Sequence, residues 1–322
     1  MLSINEIHQG DCRNLLKQIE PNSIALSVWS PPYFVGKEYE KYLSYEDWVE
    51  LLTETIKLHY NILKPGGFLA INIADILCFP DPAIPKFQSR NISMQRSPIT
   101  KEQILQAKAE NPDLNRNQLA ALLGCSEQTI DRRLNGNNIR GGKYETQTRV
   151  HLVGNIIEQA GYEAKLYMYD RRIWKKDPSW MNSKWHNSSY RAVSEYEDIY
   201  ILWKPGETVV NRDKLTSQEW TSWGSRAVWE FSSVRANREH EAMFPVELPK
   251  RLIKLLTEPE DIVLDCFMGS GTTAIAAILE KRNYIGTELL EEYVVLAKRN
   301  IEEEKKKIEM KNRQLKLALV SY

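Results

Sequence analysis

The chain has 322 residues, with 43 Lys plus Arg balanced by 43 Asp plus Glu for a formal net charge of zero. That balance counts against a purely electrostatic nucleic-acid binder, which would be strongly basic, but it leaves room for an enzyme with its basic residues on one face. Four scattered cysteines without C-x-x-C spacing argue against a disulfide framework or a metal site, and the absence of any apolar run of spanning length or signal-like start argues for a cytoplasmic protein with no membrane partner.

Residues 24–29 (IALSVW) form a short apolar run ending at Ser30-Pro31-Pro32-Tyr33. Proline gives no donor to a central ladder, so the strand must stop there. Residues 45–63 carry apolar side chains at helical spacing, and Lys64-Pro65-Gly66-Gly67 ends that helix. Residues 68–73 (FLAINI) read as a second buried strand. Strand, loop, helix, strand is the grammar of a parallel α/β sheet. Pro80, Pro82 and Pro85 break the pattern, residues 100–134 turn helical and polar, and residues 136–142 are rich in glycine and asparagine. Residues 79–145 are therefore read as an insertion.

The sheet grammar returns with a helix at 150–160 stopped by Gly161, and with strands at 165–174 and 196–203 on either side of a loop rich in Trp, Ser and Asn. Residues 205–240 show no clear periodicity and carry Trp220, Trp223, Trp229, Arg226, Arg235 and Arg238. A helix at 249–256 precedes a strand at 261–264, the turn Gly269-Ser270-Gly271, a small-residue helix at 272–279 and a strand at 284–286 that ends near Glu288. Residues 291–313 form a charged amphipathic helix whose mixed charges read as a solvated face. With 9 Trp and 15 Tyr the chain is aromatic-rich. Core packing is the plainer use of those rings and base stacking the sharper one.

The segment Asp265-Cys266-Phe267-Met268-Gly269-Ser270-Gly271-Thr272-Thr273 carries an apolar strand into a helix. Glycines let a ligand approach the backbone where a Cβ would clash, and an acid at the tip of the next strand, Glu288, suits ribose hydroxyls. The Gly-Lys-Ser/Thr ending of a phosphate loop is absent, and so is G-x-G-x-x-G, which disfavours a nicotinamide cofactor. Taken alone, the turn is as well explained by structure as by a ligand.

Ser30-Pro31-Pro32-Tyr33 supplies a second motif. Together, S-P-P-Y and D-C-F-M-G-S-G-T-T resemble the amino-methyltransferases of bacterial restriction-modification systems, with the catalytic motif first, as in their permuted beta class. Gly10-Asp11-Cys12 with Leu15-Leu16, Pro65-Gly66-Gly67, Ile173-Trp174-Lys175-Lys176, and Phe244-Pro245 with Leu248 resemble further segments of that family. The resemblance covers most of residues 5–75 and 150–305 and does not reach the insertion. One departure is Cys266, where the family usually has proline. Its side chain is expected to face the core, and no nucleophilic role is expected, because the C5-cytosine enzymes use a Pro-Cys pair that this chain lacks.

The resemblance implies a Rossmann-like α/β methyltransferase fold, a mostly parallel sheet with an antiparallel strand, circularly permuted and carrying an inserted small helical domain. It divides the chain into a catalytic half (1–78), the insertion (79–145), a continuation (146–204), a target-recognition segment (205–240) and a cofactor-binding half (241–322). It implies S-adenosyl-L-methionine as cofactor and double-stranded DNA as partner, and leaves open whether a cognate restriction endonuclease acts alongside. In the implied roles, Tyr33 stacks on a flipped base, the Ser30 hydroxyl and the Pro31 carbonyl accept hydrogen bonds from its exocyclic amine, and Pro32 stiffens the backbone. Asp11 contacts the cofactor adenine, Glu288 its ribose, and Asp265, Phe267, Gly269, Ser270, Gly271, Thr272 and Thr273 form the segment that holds its methionine end. Serine at the first catalytic position is mostly associated with cytosine N4, and Asp or Asn with adenine N6. Cytosine N4 is the expectation, adenine N6 the alternative. A regulator on an inactive scaffold and methylation of RNA or a protein glutamine are the rivals from other classes.

Within the insertion, residues 116–130 resemble a helix-turn-helix. Ala120 permits close packing, Gly124 sits where the turn needs a left-handed residue, Ile130 packs back, and Ser126 caps the second helix. That helix would present Gln128, Thr129, Arg132 and Arg133 to DNA, with Arg226 and Arg235 from residues 205–240 as further contacts. A hairpin used for packing, or a protein-binding module, is the alternative.

Overall fold

The computed structural model describes residues 1–32, 44–74, 76–79, 98–135, 149–178, 192–233 and 244–320. Two compact units emerge, one of Met1–Cys78, Val150–Ser179 and Ser194–Tyr322, the other of Phe79–Arg149 with Trp180–Val193.

In the larger unit the chain begins with β1 (Glu6–Gln9) and the short α1 (Cys12–Leu15), then β2 (Ile24–Trp29), α2 (Tyr45–Ile62) and β3 (Leu63–Ile73). All six residues of β2 are buried, the burial on both faces that a continuous apolar run predicts for a central parallel strand. Ser44 caps α2 in a reciprocal box with Asp47, which fixes where that helix starts. β3 starts earlier than the sequence suggests. Ile24 pairs with Leu63 and Leu26 with Phe68, so the four residues Lys64–Gly67 are taken up in a bulge. Gly66 has φ +84°, and a Cβ there would fall 2.1 Å from the Glu207 carbonyl oxygen, so the Pro-Gly-Gly turn is required by close backbone approach.

A two-stranded ladder of β4 (Ile76–Phe79) and β5 (Arg149–Leu152) follows. α6 (Val153–Glu163) then leads to β6 (Tyr167–Lys175) and β7 (Tyr196–Trp203). Gly161 does not stop α6, as the sequence suggests. A Cβ at Gly161 would lie 2.3 Å from Leu202 Cδ2, so this glycine lets the helix press on the sheet, and Lys165 takes the left-handed conformation instead (φ +60°). Next come α7 (Ser217–Glu219), widening into a turn at Trp220–Gly224, and β8 (Val228–Glu230). They are followed by α8 (Glu247–Leu256), β9 (Ile262–Asp265), α9 (Thr272–Leu279), β10 (Asn283–Glu288) and α10 (Glu291–Val320).

Eight of these strands make one sheet in the order β1-β10-β9-β2-β3-β7-β6-β8. β1, β10, β9, β2 and β3 run parallel, while β7 is antiparallel to both β3 and β6. The fold is thus α/β, a mostly parallel sheet with an antiparallel strand. β8 was invisible as a strand, because three residues show no period; its one buried side chain, Trp229, anchors it beside β6. Trp223 and Trp229 meet edge-on in the core, which is the plainer of the two uses expected for such rings.

The described helices of the smaller unit are α3 (Lys101–Glu110), α4 (Arg116–Leu122) and α5 (Glu127–Asn135). Ile104, Leu119, Ala120 and Ile130 are buried in their small core. Gly124 between α4 and α5 is left-handed (φ +62°), and the Ser126 hydroxyl accepts the Thr129 N–H at 3.2 Å, capping α5. No helix among the described residues is long and apolar enough to cross a membrane.

Candidate active site

From β9 the chain passes through α9 to β10 on one side, and from β2 through α2 to β3 on the other. The winding direction therefore reverses between β9 and β2, and in an open α/β sheet the crevice beyond the strand ends at such a reversal is where ligands bind. β2 and β9 are hydrogen-bonded neighbours with Ser27 opposite Leu264. The Ser30-Pro31-Pro32 segment and the turn that follows Asp265 consequently leave the sheet at adjacent strand ends.

Ser30, Pro31 and Pro32 stand at the end of β2; Tyr33 lies outside the described residues. The Pro32 carbonyl accepts a hydrogen bond from the Trp48 indole at 2.7 Å, so the one buried side chain in the first turn of α2 holds the exit of the motif. The Ser30 hydroxyl accepts the Asn72 amide N–H at 3.1 Å. Behind the motif, Trp29 packs edge-on against Phe267 of the glycine turn, with centroids 5.3 Å apart. Trp29 is itself braced by His59, whose Nε2 faces the Ser27 hydroxyl at 2.8 Å and the Trp29 indole at 3.4 Å, while Nδ1 faces the Thr55 carbonyl at 2.6 Å. Complete burial pushes the His59 imidazole down to about 4, so it is neutral: Nδ1 carries the proton and Nε2 accepts.

The glycine turn is shaped from within. Gly269 and Gly271 both have positive φ (52° and 89°). Asp265 accepts the Phe267 N–H at 3.0 Å and the Thr273 hydroxyl at 2.6 Å. Asp265 and Thr273 are buried, so they set the shape of the turn from below. Burial raises the Asp265 carboxyl to about 7 against the opposing pull of these two donors. Ser270 is buried with its hydroxyl 3.2 Å from that of the half-buried Thr272, and its carbonyl accepts Asn300 Nδ2 at 2.9 Å. Cys266 faces the core, where burial pushes its thiol well up.

Glu288 ends β10, and its carboxylate accepts the N–H groups of Gly269 (2.9 Å) and Leu290 (3.0 Å). Gly10 donates its N–H to the Glu288 carbonyl at 2.8 Å, which brings Asp11 beside it. Asp11 caps α1 by accepting the Arg13 N–H and is paired with the Arg13 guanidinium at 2.7 Å, which holds its carboxyl below the usual range. Asp11, Asp265 and Glu288 thus gather around the turn, and the neighbouring Arg13 is paired with Asp11 and Glu54. Such a set of acceptors repels phosphate and suits a ligand rich in hydroxyls and amines with a positive centre, such as an adenosyl sulfonium.

At the opposite end of the sheet lies a cavity of about 300 Å³ beside Lys64, Gly66, Asp170 and Arg172. Two of its charge pairs are closed on one another, Lys64 with Asp261 at 2.6 Å and Arg172 with Asp170 at 3.0 Å. It opens at the starts of β3 and β9, away from both motifs.

Of the residues expected to face DNA, Gln128, Thr129, Arg132 and Arg133 are on α5, with the side chains of Gln128 and Arg132 outside the described residues. The Thr129 hydroxyl lies 3.0 Å from that of Ser126. Arg226 belongs to the larger unit and is exposed, with Nε donating to the Thr221 carbonyl at 2.8 Å; Arg235 lies outside the described residues. Sequence reasoning missed Asn72, Glu197, Trp48 and His59. A signal for Asn72 existed: it is the polar residue inside the apolar run FLAINI, and a buried amide in a central strand needs partners.

A family model described as DNA methylase, covering N6 and N4 methyltransferases, matches residues 24–299. The Type II methyltransferase M.BglI of Bacillus subtilis is 60% identical over 301 residues, covering 94% of this chain and 86% of that protein. Among solved structures, a DNA modification methylase of Thermus thermophilus, complexed with S-adenosyl-L-methionine, aligns at 24% identity with a TM-score of 0.60, covering 93% of this chain and 94% of that one. The cytosine-N4-specific PvuII DNA methyltransferase aligns at 18% identity with a TM-score of 0.58 over 92% of this chain and 86% of that one. These two likenesses concern the fold.

Proposed function

Since the chain belongs to the N6/N4 family of DNA methylases, we propose that it is a site-specific Type II methyltransferase of a restriction-modification system that methylates cytosine N4 in duplex DNA. The observation that supports this reading most is the meeting of the Ser-Pro-Pro segment and the Gly-Ser-Gly turn at the adjacent ends of β2 and β9.

S-adenosyl-L-methionine supplies an activated methyl group: the amine nitrogen forms the new N–C bond as the C–S bond breaks, the electron pair of that bond stays on sulfur, and the nitrogen then releases a proton to solvent. Asp11 and Glu288 hold the adenosyl part through its amine and hydroxyls, and the turn from Phe267 to Thr273, shaped by Asp265, holds the remainder. The target cytosine leaves the stack to reach the crevice, where Tyr33 offers an aromatic face. Ser30 and the Pro31 carbonyl accept the amine hydrogens and direct the nitrogen lone pair toward the methyl group. Direct displacement needs little beyond positioning and electrostatics. α5 reads the DNA with Gln128, Thr129, Arg132 and Arg133, assisted by Arg226 and Arg235; its capped helix start after a left-handed glycine supports that use.

The test is to incubate the protein with S-adenosyl-L-methionine and unmethylated bacterial DNA, digest to nucleosides and identify the product by mass spectrometry. N4-methylcytosine is expected. N6-methyladenine would retain the enzyme and overturn the base assignment.

A further inference from the structure

Four neighbouring strands each place one polar residue at the catalytic end of the sheet. Ser30 follows β2, Asn72 is on β3, Glu197 on β7, and Lys176 follows β6. The register makes this a row: Trp29 is opposite Ile71, Ile73 is opposite Asp198, and Trp174 is opposite Glu197. Asn72 and Glu197 are buried, at 1% and 6% exposure. Asn72 Nδ2 donates both to the Ser30 hydroxyl at 3.1 Å and to Glu197 Oε2 at 2.7 Å, and Lys176 donates to Glu197 Oε1. The row is an unbroken hydrogen-bonded chain from a partly exposed ammonium to the catalytic hydroxyl.

We propose that Lys176, Glu197 and Asn72 are a positioning array that fixes how Ser30 presents itself to the target amine. This rests on the methyltransferase reading above and goes beyond it, because the motif contains none of the three.

The row fixes two things at Ser30. The first is orientation. A carboxylate only accepts, so Glu197 dictates that the amide nitrogen of Asn72 points its way, and the same nitrogen donates to Ser30. One lone pair of the Ser30 oxygen is thereby engaged, and the hydroxyl proton is excluded from that direction. The remaining lone pair is left for the amine N–H, in a fixed direction rather than a rotating one. The second is charge. During transfer, positive charge passes from sulfur to the attacking nitrogen. Within the array the Lys176–Glu197 ion pair has its anion on the side toward Ser30, so the nearer of its two charges to the nitrogen that becomes positive is the negative one. Preorganised dipoles of that sense lower the barrier without reorganising during the reaction.

The experiment is single-turnover methylation of DNA with wild type, Lys176→Met, Lys176→Arg, Asn72→Asp, Ser30→Ala and the Ser30→Ala/Asn72→Asp double variant. S-adenosyl-L-methionine affinity by calorimetry and thermal midpoints are measured alongside. Lys176 is partly exposed, so its variants keep the fold if Asn72→Asp does not. Misplacement of a reacting group costs roughly 10- to 100-fold in rate. The expected result is a loss of that order in Asn72→Asp and a smaller one in Lys176→Met, restored by Lys176→Arg, with cofactor affinity unchanged. In the Ser30→Ala background Asn72→Asp should have no further effect, because it acts through the missing hydroxyl. Full rates in both Lys176→Met and Asn72→Asp, with wild type active, would overturn the array alone. An additive loss in the double variant would also overturn it. A wild type that binds cofactor but methylates no DNA would bring down the methyltransferase reading, and the array with it.

Discussion

Trp29 meets Phe267 edge-on, with ring centroids 5.3 Å apart and planes at 69°. One ring ends the strand that carries Ser30, the other opens the turn assigned to the cofactor. Phe267 is only partly buried, so Phe267→Ala should alter the thermal midpoint little and weaken S-adenosyl-L-methionine binding by about tenfold, the loss of one aromatic contact worth roughly 1.4 kcal/mol. Calorimetric titration checks it, and unchanged affinity would detach the ring from the cofactor site.

Ser30→Ala keeps the backbone of the motif and removes one acceptor. Methylation should slow by roughly a hundredfold, the scale seen when one preorganised polar group is lost, while cofactor affinity stays within about twofold. A parallel fall in cofactor affinity would show that Ser30 serves binding rather than transfer.

The buried His59 makes stability depend on pH. Its folded value of about 4 lies below the ordinary 6.5, so the unfolded chain binds the proton more readily. Its contribution is complete above pH 6.5 and is lost as pH falls toward 4. Between pH 7.5 and pH 5 the stability advantage of wild type over His59→Gln should shrink by roughly 2 kcal/mol. Urea midpoints at the two pH values measure this. Asp265 shifts in the opposite sense, its raised value favouring the folded state at low pH and losing that contribution as pH rises through about 7. It is present in both proteins and cancels in the comparison.

If α5 grips DNA, Arg133→Ala should weaken binding and reduce the salt dependence of log K by about one unit of slope. Thr129→Ala should alter site selectivity more than affinity. Deletion of residues 97–140 with selectivity and affinity both unchanged would remove the insertion from target recognition.

The legible parts of the sequence were those where backbone chemistry allows little choice. The apolar run of β2 is cut by two prolines, β7 carries the apolar run Ile199–Trp203, and α9 opens directly after the Gly-Ser-Gly turn; their predicted limits match the observed ones. The two motifs were readable for the same reason, because prolines and glycines mark backbone that must depart from the ladder. Gly161 misled, since a glycine chosen for closeness to Leu202 looks the same in one dimension as a glycine that ends a helix. β8 needed the sheet edge beside β6 to exist before three residues could be a strand. Asn72, Glu197 and His59 escaped because their meaning lies in pairings between strands and helices far apart in sequence. A lone Asn in FLAINI announces that a partner is needed but does not say which.

β1 is hydrogen-bonded to β10, Glu6 opposite Ile285 and Gln9 opposite Glu288. During synthesis this early strand has no neighbour until residues 283–288 have emerged. At about 5–20 residues per second, that wait lasts on the order of tens of seconds. Asp11, carried just beyond β1, cannot approach Glu288 any sooner. If Asp11 and Glu288 hold the cofactor as proposed, that site closes only once β10 has emerged, so a chain ending before residue 283 should fail to bind S-adenosyl-L-methionine in a calorimetric titration.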